Sequence, residues 1–167
     1  MADGSGSNPG PEKDQPSASQ SPSEGRQPRI LIIEDNKTDV FLIREAIGSC
    51  GIDAEIEVLR DGQAALNYFE QVDAQHTDAC PDLILLDMNL PRRSGDEVLK
   101  HLRTSTKCRH SNVLIVSSSD APQDRQAVET SGVAGYFRKP SSYDEFMKLG
   151  PLVRTLLDSG PRKTHEP

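Results

Sequence analysis

The sequence predicts an α/β fold: a doubly wound, five-stranded parallel sheet in the order 2-1-3-4-5, with helices on both faces. Three observations carry that prediction. Apolar runs of strand length alternate with stretches of helical period, the pattern of a parallel sheet wrapped by helices. Ile30–Ile33, Leu83–Leu86 and Val113–Val116 are continuously apolar, as buried central strands are, whereas Glu55–Val58 and Gly135–Arg138 are mixed, as edge strands are. Four of the five runs also end in reactive side chains: Glu34-Asp35, Asp87, Ser117 and Lys139-Pro140. In such a sheet these ends share one rim, and ligands bind outside the carboxyl ends where the strand order reverses, here between the first and third strands.

Each element has its own signal. After Ile30–Ile33, Asn36 caps a helix with Asp39 three residues on, and Val40, Ile43 and Ile47 share a face. Glu55–Val58 alternates strictly, which suits a half-exposed strand. Asp61-Gly62 opens a second helix with Ala65, Phe69 and Val72 inward, and a polar loop runs from about Asp73 to Pro81. Beyond Leu83–Leu86, Ser94 and Glu97 form a capping-box pair ahead of Val98, Leu99 and Leu102. Pro122 suits the first turn of a fourth helix that Gly132 stops, and only Ala127 and Val128 give it an apolar face, so it is expected to be weakly held. Ser142 with Glu145 caps the last helix, whose inward residues include Phe146, Leu149, Leu152 or Val153, and Leu156. Gly150-Pro151 falls inside that helix, where a proline costs roughly 3 kcal/mol unless the helix kinks.

Composition bounds the rest. Of 167 residues, 1–28 hold six Ser, five Pro and four Gly with no aromatic or branched aliphatic residue, and are expected to be disordered. One domain is expected over 29–158, followed by a short tail, 159–167, too short for a DNA-binding or catalytic output domain. The amino terminus lacks the basic start and apolar core of a signal peptide, and no apolar run approaches the roughly 20 residues that span a bilayer. A soluble, cytoplasmic protein with no membrane contact is expected. The net charge of −7 argues against nucleic acid as a partner, since phosphate contacts need a positive footprint. Cys50, Cys80 and Cys108 are odd in number and widely spaced, and read as separate thiols in a reducing compartment. His76, His101, His110 and His165 show no ligand spacing and read as solvated surface residues.

The rim residues specify a chemistry. Crowded carboxylates repel, and a divalent cation resolves the conflict; hard oxygen donors select magnesium. Asp35 and Asp87 are expected as direct ligands, Glu34 directly or through water, and the Asn89 carbonyl as a further oxygen. A carboxylate also attacks phosphorus, and Asp87, alone at the end of a central strand, is the candidate nucleophile. Phosphoryl transfer needs mainly positioning and charge neutralisation, which magnesium, the Lys139 ammonium and the Ser117 hydroxyl would supply.

Ile32-Ile33-Glu34-Asp35-Asn36, Leu85-Leu86-Asp87-Met88-Asn89-Leu90-Pro91, Gly95, Ser117 and Gly135-Tyr136-Phe137-Arg138-Lys139-Pro140 together resemble a receiver domain of the two-component response regulators, over residues 29–158. The resemblance implies a fivefold βα, flavodoxin-like fold, phosphorylation at Asp87, magnesium at the acid pair, and a phosphodonor histidine on a sensor kinase or a histidine phosphotransfer protein. It also implies a cis peptide between Lys139 and Pro140, and a switch in which Tyr136 turns inward as the Ser117 hydroxyl moves toward the phosphoryl group. The alternative reading of Tyr136 is half-exposed filling of an edge strand. Asp-Asn-Lys-Thr-Asp-Val at 35–40, the long loop before Pro81 and Asn-Leu-Pro at 89–91 resemble the stand-alone, phytochrome-associated members, which implies a light-sensing kinase.

On this reading the protein is a phosphoacceptor with autodephosphorylation but no turnover of a separate substrate. It signals to a downstream protein through the surface of the fourth helix, fifth strand and fifth helix, or serves as a phosphate shuttle or sink. Family members dimerise through that same surface, and a kink at Pro151 works against such a homodimer. Two enzyme-like and carrier alternatives fit less well. An aspartate-nucleophile phosphohydrolase needs a second acid two residues after Asp87, where Asn89 stands, and a flavodoxin-type flavin carrier needs a phosphate loop where Glu34-Asp35-Asn36 stands.

Overall fold

A computed structural model describes residues 26–75, 80–118, 126 and 132–160. Apart from Gln126, the predicted fourth helix, including Pro122, Ala127 and Val128, lies outside the described residues, as do His76, His165, residues 1–25 of the first tail and 161–167 of the last. Five strands, β1 (Arg29–Ile33), β2 (Glu55–Leu59), β3 (Leu83–Leu86), β4 (Asn112–Ser117) and β5 (Gly135–Arg138), form one parallel sheet in the predicted order β2-β1-β3-β4-β5.

The two-residue period of the strands divides the core. Leu31 and Ile33 of β1 face one way, onto α2 (Gly62–Ala74) and α3 (Gly95–Thr104), with Phe69, Leu99 and Leu102 fully buried among them. Ile30 and Ile32 face the other way, onto Val40, Ile43 and Ile47 of α1 (Lys37–Ser49) and onto Phe146, Leu149 and Val153 near the carboxyl terminus. Both faces of the central strands are thus covered, which accounts for their unbroken apolar sequence.

The caps follow the sequence. Asn36 Oδ1 accepts from the backbone N–H of Thr38 and Asp39, Asp61 caps α2 through Ala64, and Ser94 and Glu97 form the full capping box of α3. Gly95 closes the β3–α3 connection, because a Cβ there would lie 2.5 Å from the Asp87 carbonyl oxygen and the Met88 Cα. Gly62 meets the same connection from α2, its N–H donating to the Pro91 carbonyl. The loop after Asp87 is therefore pinned from two sides.

Three expectations are corrected. The last helix does not kink around Pro151 but is divided into α4 (Tyr143–Phe146) and α5 (Leu149–Asp158), separated by Met147 and Lys148. Pro151 thereby falls in the first turn of α5, where its missing N–H has no helical acceptor to lose. Cys80 and Cys108 are joined in a disulfide, with Cys50 free, so the cysteines give no support to a reducing compartment. Asp73 at the end of α2 accepts from the Ser105 hydroxyl and the Thr106 and Lys107 amides, which ties the turn before Cys108 to the carboxyl end of α2. Finally, no peptide bond among the described residues is cis, so the Lys139–Pro140 bond is trans, the isomer that X–Pro bonds favour by about 0.5–1 kcal/mol.

Candidate functional site

The carboxyl ends of β1, β3 and β5 deliver charge to one point. Glu34 and Asp87 are buried, 1% and 5% exposed, each directly following the apolar residues that end its strand. Their amides remain tied into the sheet, Asp87 N–H to the Ile33 carbonyl and Glu34 N–H to the Leu59 carbonyl, so the side chains leave a rigid rim. Asp35 is exposed beside them. Each of Glu34, Asp35 and Asp87 offers a carboxylate oxygen, and the three oxygens lie within 4.8 Å of one another.

Lys139 enters this group from the loop after β5. Its backbone N–H donates to the Ser117 carbonyl at 2.9 Å, which fixes where the side chain starts. Its ammonium reaches Glu34 at 2.6 Å, Asp39 at 2.8 Å and Asp87 at 3.2 Å. An ammonium has three N–H donors, so all three are used. Among the described residues, every buried side-chain nitrogen and oxygen has a hydrogen-bond partner.

The electrostatics follow from burial and crowding. Burial pushes the Glu34 carboxyl up to about 7; the hydrogen bonds from Lys139 and the Asn36 amide oppose this, and the charge of Asp87 adds to it. For Lys139 burial alone would lower the ammonium, but the hydrogen bonds to Asp39 and Glu34 and the Asp87 charge outweigh it and hold it above its ordinary value. A proton or a cation is what such a cluster lacks. Three hard carboxylate oxygens within reach of one another fit a magnesium-like ion and not a soft one.

Most of the sequence-predicted residues converge here. Ser117 is fully buried at the end of β4, paired in register with Arg138. Asn89 is exposed, and its backbone N–H donates to Asp87 Oδ1 at 3.1 Å, orienting the carboxylate. Tyr136 is half-buried against the α2–α3 side of the core, and Phe137 packs edge-on to Phe146 on the other side. Asp39 is the site residue that the sequence reading left as part of a helix start. Its position one turn beyond Asp35 was the available signal, but an acid in a first helical turn is ordinary for dipole reasons alone.

A family model described as the response regulator receiver domain matches residues 30–149. Response regulator Rcp1 of Synechocystis sp. is 32% identical over 120 residues, covering 72% of this chain and 82% of that protein. The crystal structure of the phosphorylated cyanobacterial phytochrome response regulator RcpA superposes with a TM-score of 0.70 at 29% identity, covering 80% of this chain and 96% of that one. The Mn2+-bound form of Rcp1 gives a TM-score of 0.67 at 30% identity, over 77% and 92% of the two chains.

Proposed function

The chain belongs to the response regulator receiver domain family of two-component signalling, and from that premise we propose that Asp87 is its phosphoacceptor. The observation that carries the assignment is the Lys139 ammonium 3.2 Å from the Asp87 carboxylate, which is buried with Glu34 at the sheet rim. An Asp87 oxygen attacks the phosphorus of a phosphohistidine, the P–N bond breaks, and its electron pair stays with the imidazole, which takes up a proton. The product is an acyl phosphate. Attack of water on phosphorus later returns the carboxylate and inorganic phosphate, so there is no turnover of a separate substrate.

The chain's own residues divide the work. The Asn89 amide orients the acceptor carboxylate, and Lys139 meets charge on a phosphoryl oxygen as it transfers. Ser117, buried at the end of the adjacent strand, supplies a hydroxyl toward the same group. Glu34, Asp35 and Asp87, with the Asn89 carbonyl, would hold Mg2+; when bound it supplies neutralisation of the crowded oxygens and of the phosphoryl charge. The Mn2+-bound form of Rcp1 supports a divalent ion at a site of this kind.

The donor is a sensor histidine kinase or a histidine phosphotransfer protein in the cytoplasm, and similarity to RcpA and Rcp1 favours a phytochrome-type light sensor as the input. Phosphorylation is read out at the surface that includes β5 and the predicted fourth and fifth helices, with Ser117 and Tyr136 as the moving parts, by a downstream protein or a second copy of the chain; or the phosphate is only passed on. Intact mass after incubation with acetyl phosphate and magnesium tests the core of this: one added phosphate in the wild type and none in Asp87→Asn. Equal uptake by both proteins would overturn it.

A further inference from the structure

Lys139 is a flexible side chain on the loop beyond an edge strand, yet it is only 9% exposed and each of its three donors has an acidic partner. Two of those partners, Glu34 and Asp87, also belong to the three-carboxylate group that fits a cation. Asp39 does not. It stands in the first turn of α1, where its backbone amide is fixed by Asn36 Oδ1 at 3.1 Å and the next residue, Val40, is buried in the core. Its carboxylate is thus an anchor carried by a rigid element, closer to the ammonium than Asp87 is, at 2.8 Å against 3.2 Å.

We propose that Asp39 is a positioning residue for phosphoryl transfer, holding the Lys139 ammonium beside Asp87 without letting it settle on the acceptor oxygen. The inference rests on Asp87 being the phosphoacceptor. When Asp87 becomes an acyl phosphate, the donor that bonded its carboxylate passes to a phosphoryl oxygen. When Glu34 is engaged by a cation, it is drawn away from the ammonium. Asp39 is the partner that neither event removes, so it keeps Lys139 at the site through both. Without it, the ammonium is shared by only the two acids that the reaction needs free, and it masks the nucleophile it should assist. Asp39 is not a catalytic residue in this scheme, since it acts on the reacting atoms only through Lys139.

Asp39→Asn tests the idea in the full chain. The substitution is isosteric, and the helix cap runs through the residue's amide, so the fold is retained; Asp39→Ala serves as a second variant that offers the ammonium no substitute oxygen. Uptake from acetyl phosphate, followed by intact mass, is expected to fall by up to about a hundredfold in maximal rate, the scale of a catalytic group misplaced by about 1 Å. The acetyl phosphate and Mg2+ concentrations giving half the maximal rate stay within about twofold. The Lys139 ammonium signal in 1H–15N spectra, visible where hydrogen bonds slow proton exchange and assigned by its loss in Lys139→Arg, is expected in the wild type and broadened away in Asp39→Ala. Uptake at or above the wild-type rate in both variants overturns the proposal, as does an ammonium signal retained in Asp39→Ala. A proportional rise in the half-saturating Mg2+ overturns it too, since Asp39 would then act on the metal. If the wild type itself takes up no phosphate, the phosphoacceptor assignment fails first, which separates the two failures.

Discussion

Gly150 of α5 lies so close to α1 that a Cβ on it would sit 2.4 Å from the Ala46 carbonyl oxygen and 2.5 Å from Cys50 Sγ. The contact joins two of the helices that cover one face of the sheet. Propensity and packing make opposite predictions for Gly150→Ala. Alanine is the better helix former, by at most about 1 kcal/mol for Gly150 in the first turn of α5, whereas overpacking against backbone costs about 1–3 kcal/mol. The nearest atom is the main-chain oxygen of Ala46, on the buried face of α1, and has little freedom to retreat, so packing wins. Urea denaturation is expected to show a lower midpoint for the variant, and a raised midpoint would mean that the helices can separate cheaply.

The Cys80–Cys108 disulfide spans 28 residues and ties the lead-in of β3 to the turn before β4. On the loop-entropy scale a cross-link of that length contributes about 3–4 kcal/mol. Denatured, unreduced protein is expected to titrate one thiol, from Cys50, and three after treatment with dithiothreitol. Reduction should also lower the denaturation midpoint, and Cys80→Ser should reproduce that loss without added reductant. Three titratable thiols before reduction would contradict the cross-link.

What the sequence made legible, and what it hid, divides along physical lines. Periodicity fixes which residues face the core, so the strands, the caps at Asn36, Asp61 and Ser94, and the order β2-β1-β3-β4-β5 could be read directly. Glu34, Asp35, Asp87 and Lys139 were legible for the same reason: each ends a strand, and strand ends in a parallel sheet must meet. The disulfide was hidden because Cys80 and Cys108 lie in the lead-ins to β3 and β4, outside the strands, where no sequence period says which side chains meet. The break at Met147 was hidden because Pro151 shows that a helix is interrupted but not on which side. The Asp39–Lys139 contact depends on two side-chain directions, and spacing encodes neither.

Asp73 gives the stability a component that depends on acid. Its carboxyl is held below the ordinary value of 3.8 chiefly by the Ser105 hydroxyl, with the Lys107 and Thr106 amides adding to it. A folded value below the unfolded one means that the unfolded chain binds more protons between the two. The contribution is therefore present above about pH 4 and is lost as the pH falls through the folded value. Asp73→Asn is expected to be less stable than the wild type near neutrality, with the difference shrinking on acidification. Denaturation midpoints across that range check it, and a difference that stays constant to the acid limit of folding would assign the loss to something other than this carboxylate.

The acidic cluster predicts how the protein responds to magnesium. Glu34 and Asp87 are buried, and the Lys139 ammonium is their cationic partner, whereas Asp35 is exposed. Removing the Asp35 charge should therefore leave the metal-free fold nearly as stable as before, while taking one of the three carboxylates from the cation. An ion that binds only the folded state stabilises it by about 2.7 kcal/mol at one hundred times its dissociation constant. Magnesium is expected to raise the melting temperature of the wild type and to raise that of Asp35→Asn much less at the same concentration. Calcium, larger and satisfied by looser geometry, serves as a comparison for the preference of the site. Equal shifts in the wild type and Asp35→Asn would place the ion away from this rim, and with it the charge neutralisation that the phosphoacceptor at Asp87 requires.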